Sequence, residues 1–260
     1  KKGIEFVLAV GGGSVVDCSK AIAAGAKYDG DAWDFYIGKA EVKDALPLGD
    51  VLTLAATGSE MNGNSVISNL AEERKLAIGY EILRPKFSIL DPVNTFTVPR
   101  NQTAAGTVDI MSHVFEQYFS PVEGAFLQDR MAEAILQTCV QFGPIAMDQP
   151  DNYEARANLL WAGSVALNGL LSYGKVGDWA THGIEHELSA ITDMTHGVGL
   201  AILTPAWMEF VLDENSMDKF INLGLNVWGV QDSPVKMAVA RDAIVKTAEF
   251  FRDKMEMPAK

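Results

Sequence analysis

Two periods of hydrophobic spacing divide the chain. Before about residue 98, short apolar runs alternate with helical stretches and stop at glycine or proline. "FVLAV" (6–10) is an apolar run of buried-strand type. Three glycines and Ser14 follow it, and then "VVDCSKAIAAGAKY" takes up helical spacing. "VLTLAAT" (51–57) predicts a second strand ending at Gly58, and "FSILDP" (87–92) a third, stopped by Asp91-Pro92. Between them, "SVISN" and "LAIGY" predict a weaker hairpin turning around "LAEERK". Parallel strands need crossover connections, so strands alternating with helices predict a parallel α/β sheet built from the three main runs.

From about residue 100 the spacing is helical throughout. "SPVE" (120–123) has the form of a capping box with proline at the first helical position. Phe126, Ala132, Ile135, Leu136, Cys139 and Val140 follow at helical intervals. Asp151 and Glu154 mark a helix start ahead of an apolar pattern reaching Leu171, and Ser233-Pro234 opens a helix through Phe251. The expectation is an α/β domain over 1–98 and an all-α domain over 99–260, with no internal repeat.

Composition narrows the function classes. A chain of 260 residues suffices for one large domain or two modest ones. The net charge of -13 argues against a nucleic-acid partner, which needs clustered Lys and Arg. No apolar run reaches the roughly 18 to 20 residues that span a bilayer, so no membrane partner is expected. No charged leader precedes an apolar segment. Cys18 and Cys139 lie far apart without metal or redox spacing. They are expected to be reduced packing residues, which fits the cytoplasm. Both ends look cut: "KKGIEFVLAV" enters a strand almost at once, and "FFRDKMEMPAK" runs from helix into proline. A fragment of a longer polypeptide is expected.

The candidate chemistry sits in two places. "VLAVGGGSVVDCSK" puts glycines between a strand and a helix, where a phosphate can approach the backbone and the positive helix start. It is not the Rossmann G-x-G-x-x-G, and it lacks the Walker lysine. "AATGSE" (55–60) is a second glycine turn after a strand. In a parallel sheet both turns open on the edge where nucleotides bind. The competing reading is a pair of structural turns.

The second place is "HGIEHELSAITDMTH" (182–196), which holds three of the four histidines in the chain. The fourth, His113, follows four residues after Asp109. Residues four apart share a helix face, so Asp109 pairs with His113 and His182 with His186. His196 lies beyond the loop "SAITDMT", ahead of a Gly197-Val198-Gly199 turn, and is placed to fold back. A carboxylate with imidazoles suits a divalent metal. Spacing alone leaves open which four of the five candidates ligate it. The pattern is not H-E-x-x-H, since Gly183 follows His182 and Glu185 comes one position too late for a zincin base.

"GGGSVVDCSKAIA", "LTLAATGSE", "ILDPVNTFTVP", the Asp109–His113 pair and "HGIEHELSAITDMTHG" together resemble the iron-containing (group III) alcohol dehydrogenases. The resemblance is to their aldehyde-reducing, butanol-dehydrogenase-like branch and covers nearly the whole chain. It implies a dehydroquinate synthase-like fold, with a partial dinucleotide-binding α/β domain, a helical metal-binding domain, and the metal in the cleft between. It implies Asp109, His113, His182 and His196 as ligands of one divalent metal, Fe²⁺ or Zn²⁺. His186 would stand beside the metal as a catalytic residue near substrate and nicotinamide. Gly12, Gly13, Ser14 and Asp17 match the pyrophosphate-binding motif, and Thr53, Thr57 and Lys75 match further cofactor-contacting positions. Leu54 and Ala56 depart from the loop usual in the family. The implied activity is hydride transfer between NAD(P)(H) and a primary alcohol or aldehyde such as butanol or butyraldehyde, in a cytoplasmic homo-oligomer, a dimer. The family's first strands and helices, with the residues that distinguish NAD from NADP, would precede Lys1.

Two other readings compete. Glycerol dehydrogenase and dehydroquinate synthase use three protein ligands, and the fourth candidate here argues against them. A metal-dependent hydrolase or lyase would use the histidines with no nucleotide at all.

Overall fold

The computed structural model describes residues 3–260. Lys1 and Lys2, the first two positions of the expected α/β domain, lie outside the described residues. Strand β1 (Val7–Gly11) leads into helix α1 (Gly13–Gly25) and a short helix α2 (Trp33–Tyr36). Strand β2 (Leu48–Leu52), the strands β3 (Asn64–Asn69) and β4 (Arg74–Gly79), and the two-residue β5 (Ser88–Ile89) follow. The sheet order is β1-β2-β5 with both pairs parallel, and β3 and β4 form a separate antiparallel hairpin. The expected parallel order and the expected hairpin are both present.

The second strand begins and ends earlier than its apolar run predicts, at 48–52 rather than 51–57. Gly49 and Asp50 disguise its start, although Asp50 is fully buried in the central strand with its carboxylate on Ser88 Oγ at 2.6 Å. Its end is set by its neighbour. The Thr53 N–H still reaches the Gly11 carbonyl at 3.0 Å, but there β1 turns into α1 and offers nothing further to pair with.

The rest of the chain is helical among the described residues: α3 (Arg100–Tyr118), α4 (Phe126–Asp148), α5 (Tyr153–Ala166), α6 (Ala180–Thr192), α7 (His196–Val211), α8 (Met217–Asn226) and α9 (Lys236–Glu249). A π-turn, Phe250–Lys254, ends α9. Helix α3 is the centre of the main core, and every residue from Thr103 to Tyr118 is buried. A helix buried all round carries polar side chains only where something satisfies them. None of the helices described is long and apolar enough to cross a membrane.

Several local expectations are corrected. "SPVE" is not a helix cap: Ser120 Oγ accepts the Val122 N–H in a turn, and α4 starts only at Phe126. Gly124, at φ +79°, breaks any helix begun at Pro121. The cap of α5 is Asn152, whose side chain accepts the Ala155 N–H at 3.0 Å, and α5 stops at Ala166, short of Leu171. Helix α9 starts at Lys236, because Ser233 Oγ holds the Val235 N–H in a turn. Cys139 is buried as a packing residue, but Cys18 is exposed. Gly197, Val198 and Gly199 form no turn; they lie in the first turn of α7.

Candidate metal centre and nucleotide cleft

Three histidines from three helices converge on one carboxylate oxygen, that of Asp109. Asp109 and His113 project from the same face of α3, His182 comes from α6, and His196 is the first residue of α7. Asp109 Oδ1 stands 3.6 Å from the Nε2 atoms of His113, His182 and His196 alike. Donors about 2.1 Å from a tetrahedral ion stand about 3.4 Å apart, so the spacing fits a bound divalent cation. Asp109 Oδ1 and His182 Nε2 are buried and have no hydrogen-bond partner. Leaving such atoms unpaired is costly unless a ligand meets them. The four donors therefore fit a metal ion on the chain's own chemistry.

The electrostatics agree. Burial alone would raise the Asp109 pKa, but His113, His182 and His196 outweigh it and hold the carboxyl well below the usual range. Burial pushes His113 down to about 3, leaving the neutral imidazole that a metal requires. Burial also opposes the charged form of His182, yet Asp109 and Glu116 outweigh it and raise the group to about 9. A metal bound through His182 Nε2 must displace that proton.

Behind the donors stand two buried glutamates. Glu116 on α3 takes His182 Nδ1, and its other oxygen accepts the His182 backbone N–H at 3.1 Å. Glu185 on α6 takes His196 Nδ1 and is itself held by Ser189 and, at 3.1 Å, by Lys75 Nζ. A carboxylate on Nδ1 fixes the tautomer that leaves Nε2 free for a metal. Sequence reasoning missed both roles, and Glu185 entered it only as a misplaced zincin base. Spacing gave no signal for the pairing: Glu116 follows His113 and Glu185 follows His182 by three residues, yet each glutamate holds a histidine on another helix.

His186 stands apart. Its ring centre lies 6.4 Å from that of His182 and 5.5 Å from that of His196. Glu185, His186 and His196 also offer donor atoms within 4.8 Å of one another, but the Glu185 carboxylate is already occupied by His196 and Lys75. Burial, then Lys75, pushes His186 down to about 3, so it is neutral at physiological pH.

One cleft of about 840 Å³ runs from the histidines of this cluster to Ser14, in the first turn of α1; Gly12 and Gly13 lie behind Ser14 and do not line it. His113, His182, His186 and His196 line it together with Lys75, whose amine lies 3.3 Å from His196 Nδ1, and Ser14, Asp17 and Thr57 line it as well. Trp179 packs edge-on against His182, 5.7 Å between ring centres, and forms an apolar wall. Gly12 is the N-cap of α1, with no side-chain cap and no acidic residue in the first turn, so the helix start offers its N–H groups and positive end. Gly13 has a packing reason of its own, since a Cβ there would lie 2.3 Å from Thr57 Oγ1. Thr53 does not line the cleft; it closes β2. Asp17 is buried, with its carboxylate on Ser59 Oγ and on the Val66 N–H at 3.0 Å. Lys75 directs its amine at Glu185, against the metal cluster. Leu54, one of the two unusual loop residues, packs over Gly12.

Known proteins share this arrangement of halves. Residues 1–92 match the family model described as iron-containing alcohol dehydrogenase, and residues 103–260 match the C-terminal part of the Fe-containing alcohol dehydrogenase family. The NADH-dependent butanol dehydrogenase A of Clostridium acetobutylicum is 56% identical, over 100% of this chain and 69% of that protein. The NADPH-dependent aldehyde reductase YqhD of Escherichia coli is 42% identical, over 95% of this chain and 64% of that protein. A crystal structure of NADH-dependent butanol dehydrogenase A from Thermotoga maritima superposes with a TM-score of 0.91 at 41% identity, over 98% of this chain and 65% of that one. The chain thus spans about two thirds of the length of these relatives. With both halves matched in order around a buried carboxylate–imidazole cluster, the chain belongs to the iron-containing alcohol dehydrogenase family.

Proposed function

We propose that this chain carries the catalytic centre of an NAD(P)H-dependent oxidoreductase interconverting primary alcohols and aldehydes, with butanol and butyraldehyde as the substrate pair. The observation that carries the reading is one cleft, lined both by Ser14 in the first turn of the uncapped helix α1 and by His113, His182 and His196 of the cluster around Asp109. The names of the relatives support the same chemistry and substrate class. The α/β part, 1–98, would serve the nucleotide, and the helical part, 99–260, the metal.

Asp109, His113, His182 and His196 would hold one divalent ion. Oxygen and nitrogen donors without thiolate choose weakly between Fe²⁺ and Zn²⁺. When bound, the ion supplies Lewis-acid polarisation of the alcohol or carbonyl oxygen, and the nicotinamide carries the hydride. The start of α1, with Ser14 and Thr57, receives the diphosphate of the nucleotide. Trp179 keeps water from one side of the cluster and offers an apolar surface to an alkyl chain. His186, neutral and beside the ligands, takes the proton released by an alcohol and passes it to solvent.

The competing hydrolase or lyase reading differs in one cheap measurement. NAD(P)H added to the full-length, metal-loaded protein should change its fluorescence, and butyraldehyde should then drive its oxidation. A protein that leaves NAD(P)H fluorescence unchanged overturns the oxidoreductase reading.

A further inference from the structure

Lys20 sits in the middle of α1 with none of its surface exposed, and it neither lines the cleft nor touches the metal cluster. Its Nζ lies 2.6 Å from the Asn64 carbonyl, 2.8 Å from the Ser59 carbonyl and 2.9 Å from the Asn62 carbonyl. Ser59 Oγ at 2.8 Å and Asn62 Oδ1 at 3.3 Å complete the shell. Five oxygens from residues 59–64 thus surround one charge. An ammonium has three protons and no lone pair, so it suits such a cage where a neutral amine does not. The caged segment has little regular structure of its own. It follows Gly58, at φ +61°, through one 3₁₀ turn, Ser59–Met61, to β3.

The same helix grips the segment a second time. Asp17, one turn before Lys20, bonds Ser59 Oγ and the Val66 N–H. The N-terminus of α1 also carries Gly12, Gly13 and Ser14. Ser59, Asn62 and Asn64 of the caged loop, with Thr57 just before it, line the same cleft as the histidines of the metal cluster. Burial draws the lysine pKa down to about 8, against the pull of Asp17, Glu60 and Asp50.

We propose that Lys20 is a positioning residue whose buried ammonium acts as an internal cation, folding the 59–64 loop onto α1 and so setting nucleotide affinity without touching nucleotide or metal. The affinity part rests on the reading of the cleft as a nucleotide site.

The test uses the full-length, metal-loaded enzyme with Lys20→Ala, which leaves room for a small alkylammonium ion. NAD(P)H dissociation constants come from fluorescence, metal content from elemental analysis, and protection of residues 57–66 from hydrogen exchange. We expect nucleotide affinity to fall at least about tenfold, which corresponds to about 1.4 kcal/mol. Metal content should stay at the wild-type level, and loop protection should drop. Ethylammonium should restore both affinity and protection, whereas tetramethylammonium, a cation with no N–H to donate, should restore neither. If Lys20→Ala does not yield folded protein, Lys20→Met takes its place, with Lys20→Arg as the variant expected to retain more affinity. Unchanged affinity in the Ala or Met variant overturns the proposal. So does a loss that ethylammonium leaves in place, or no advantage of Arg over Met, because either marks a lysine that merely fills space. A wild type without NAD(P)H response overturns the nucleotide reading and the affinity claim with it. The exchange experiment separates that case, because the loop should still loosen and tighten with the amine.

Discussion

Glu116 holds His182 at two points, accepting its backbone N–H at 3.1 Å and its ring Nδ1 proton with the other oxygen. Both residues are buried, on different helices, so the contact ties α6 to α3 and aims Nε2 at Asp109. Glu116→Gln keeps the size of the side chain but removes the charge that orients and polarises the ring. Metal affinity should fall about 10- to 100-fold while the fold persists. Chelator competition with circular dichroism reads both. Wild-type affinity would show that the pair only packs.

The proposed ligand set divides the histidines into two kinds. Asp109→Asn and His196→Ala should lose most bound metal on purification, and His182→Ala should lose metal and activity together. His186→Ala should keep its metal while turnover drops by a factor of about 10² to 10⁴. Elemental analysis beside steady-state rates decides. An empty site in His186→Ala with a filled one in His182→Ala would reverse the two assignments.

At Gly13 the expected effect works through the second glycine loop. A side chain at this position meets Thr57 Oγ1 at 2.3 Å and Thr57 Cγ2 at 2.6 Å, so the loop must move away from α1. Gly13→Val should therefore raise the KM for nucleotide at least about tenfold, since even a displacement of about 1 Å in a site is costly. The KM for aldehyde should change little. Equal effects on the two constants would make the turn structural only.

Asp50 gives a pH dependence of stability. Burial in the central strand raises its pKa to about 6, against Ser88 and Lys20, which lower it. The folded state thus binds this proton more tightly than the unfolded state, whose carboxyl titrates near 4. The stabilisation is complete below about pH 4 and is lost as pH rises through about 6. Asp50→Asn should remove this fall, worth on the order of 1 to 3 kcal/mol. Melting temperatures of both proteins between pH 4 and pH 7 test it, and parallel curves would refute the assignment.

Much of this was legible in the chain because it is local. The runs at 6–10 and 87–92 announce strands, the 3.6-residue spacing after residue 100 announces helices, and the four-residue steps 109–113 and 182–186 place two pairs of candidate site residues on helix faces. The motifs "GGGSVVDCSKAIA" and "HGIEHELSAITDMTHG" were enough to name the family. What escaped depends on partners distant in sequence. Gly197 and Gly199 look like a turn, yet they lie inside α7. A Cβ on Gly197 would lie 2.2 Å from the Ala105 carbonyl, and one on Gly199 would lie 2.8 Å from Glu185 Cγ. Those glycines let α7 pack on α3 and α6 and bring His196 to Asp109. Asp50 and Lys20 look like surface charges until strand pairing and the 59–64 loop enclose them. A hydrophobic period reports only which face of an element turns inward. Which polar groups meet there is decided when the elements pack, because a buried charge is tolerated only where distant residues supply its partners.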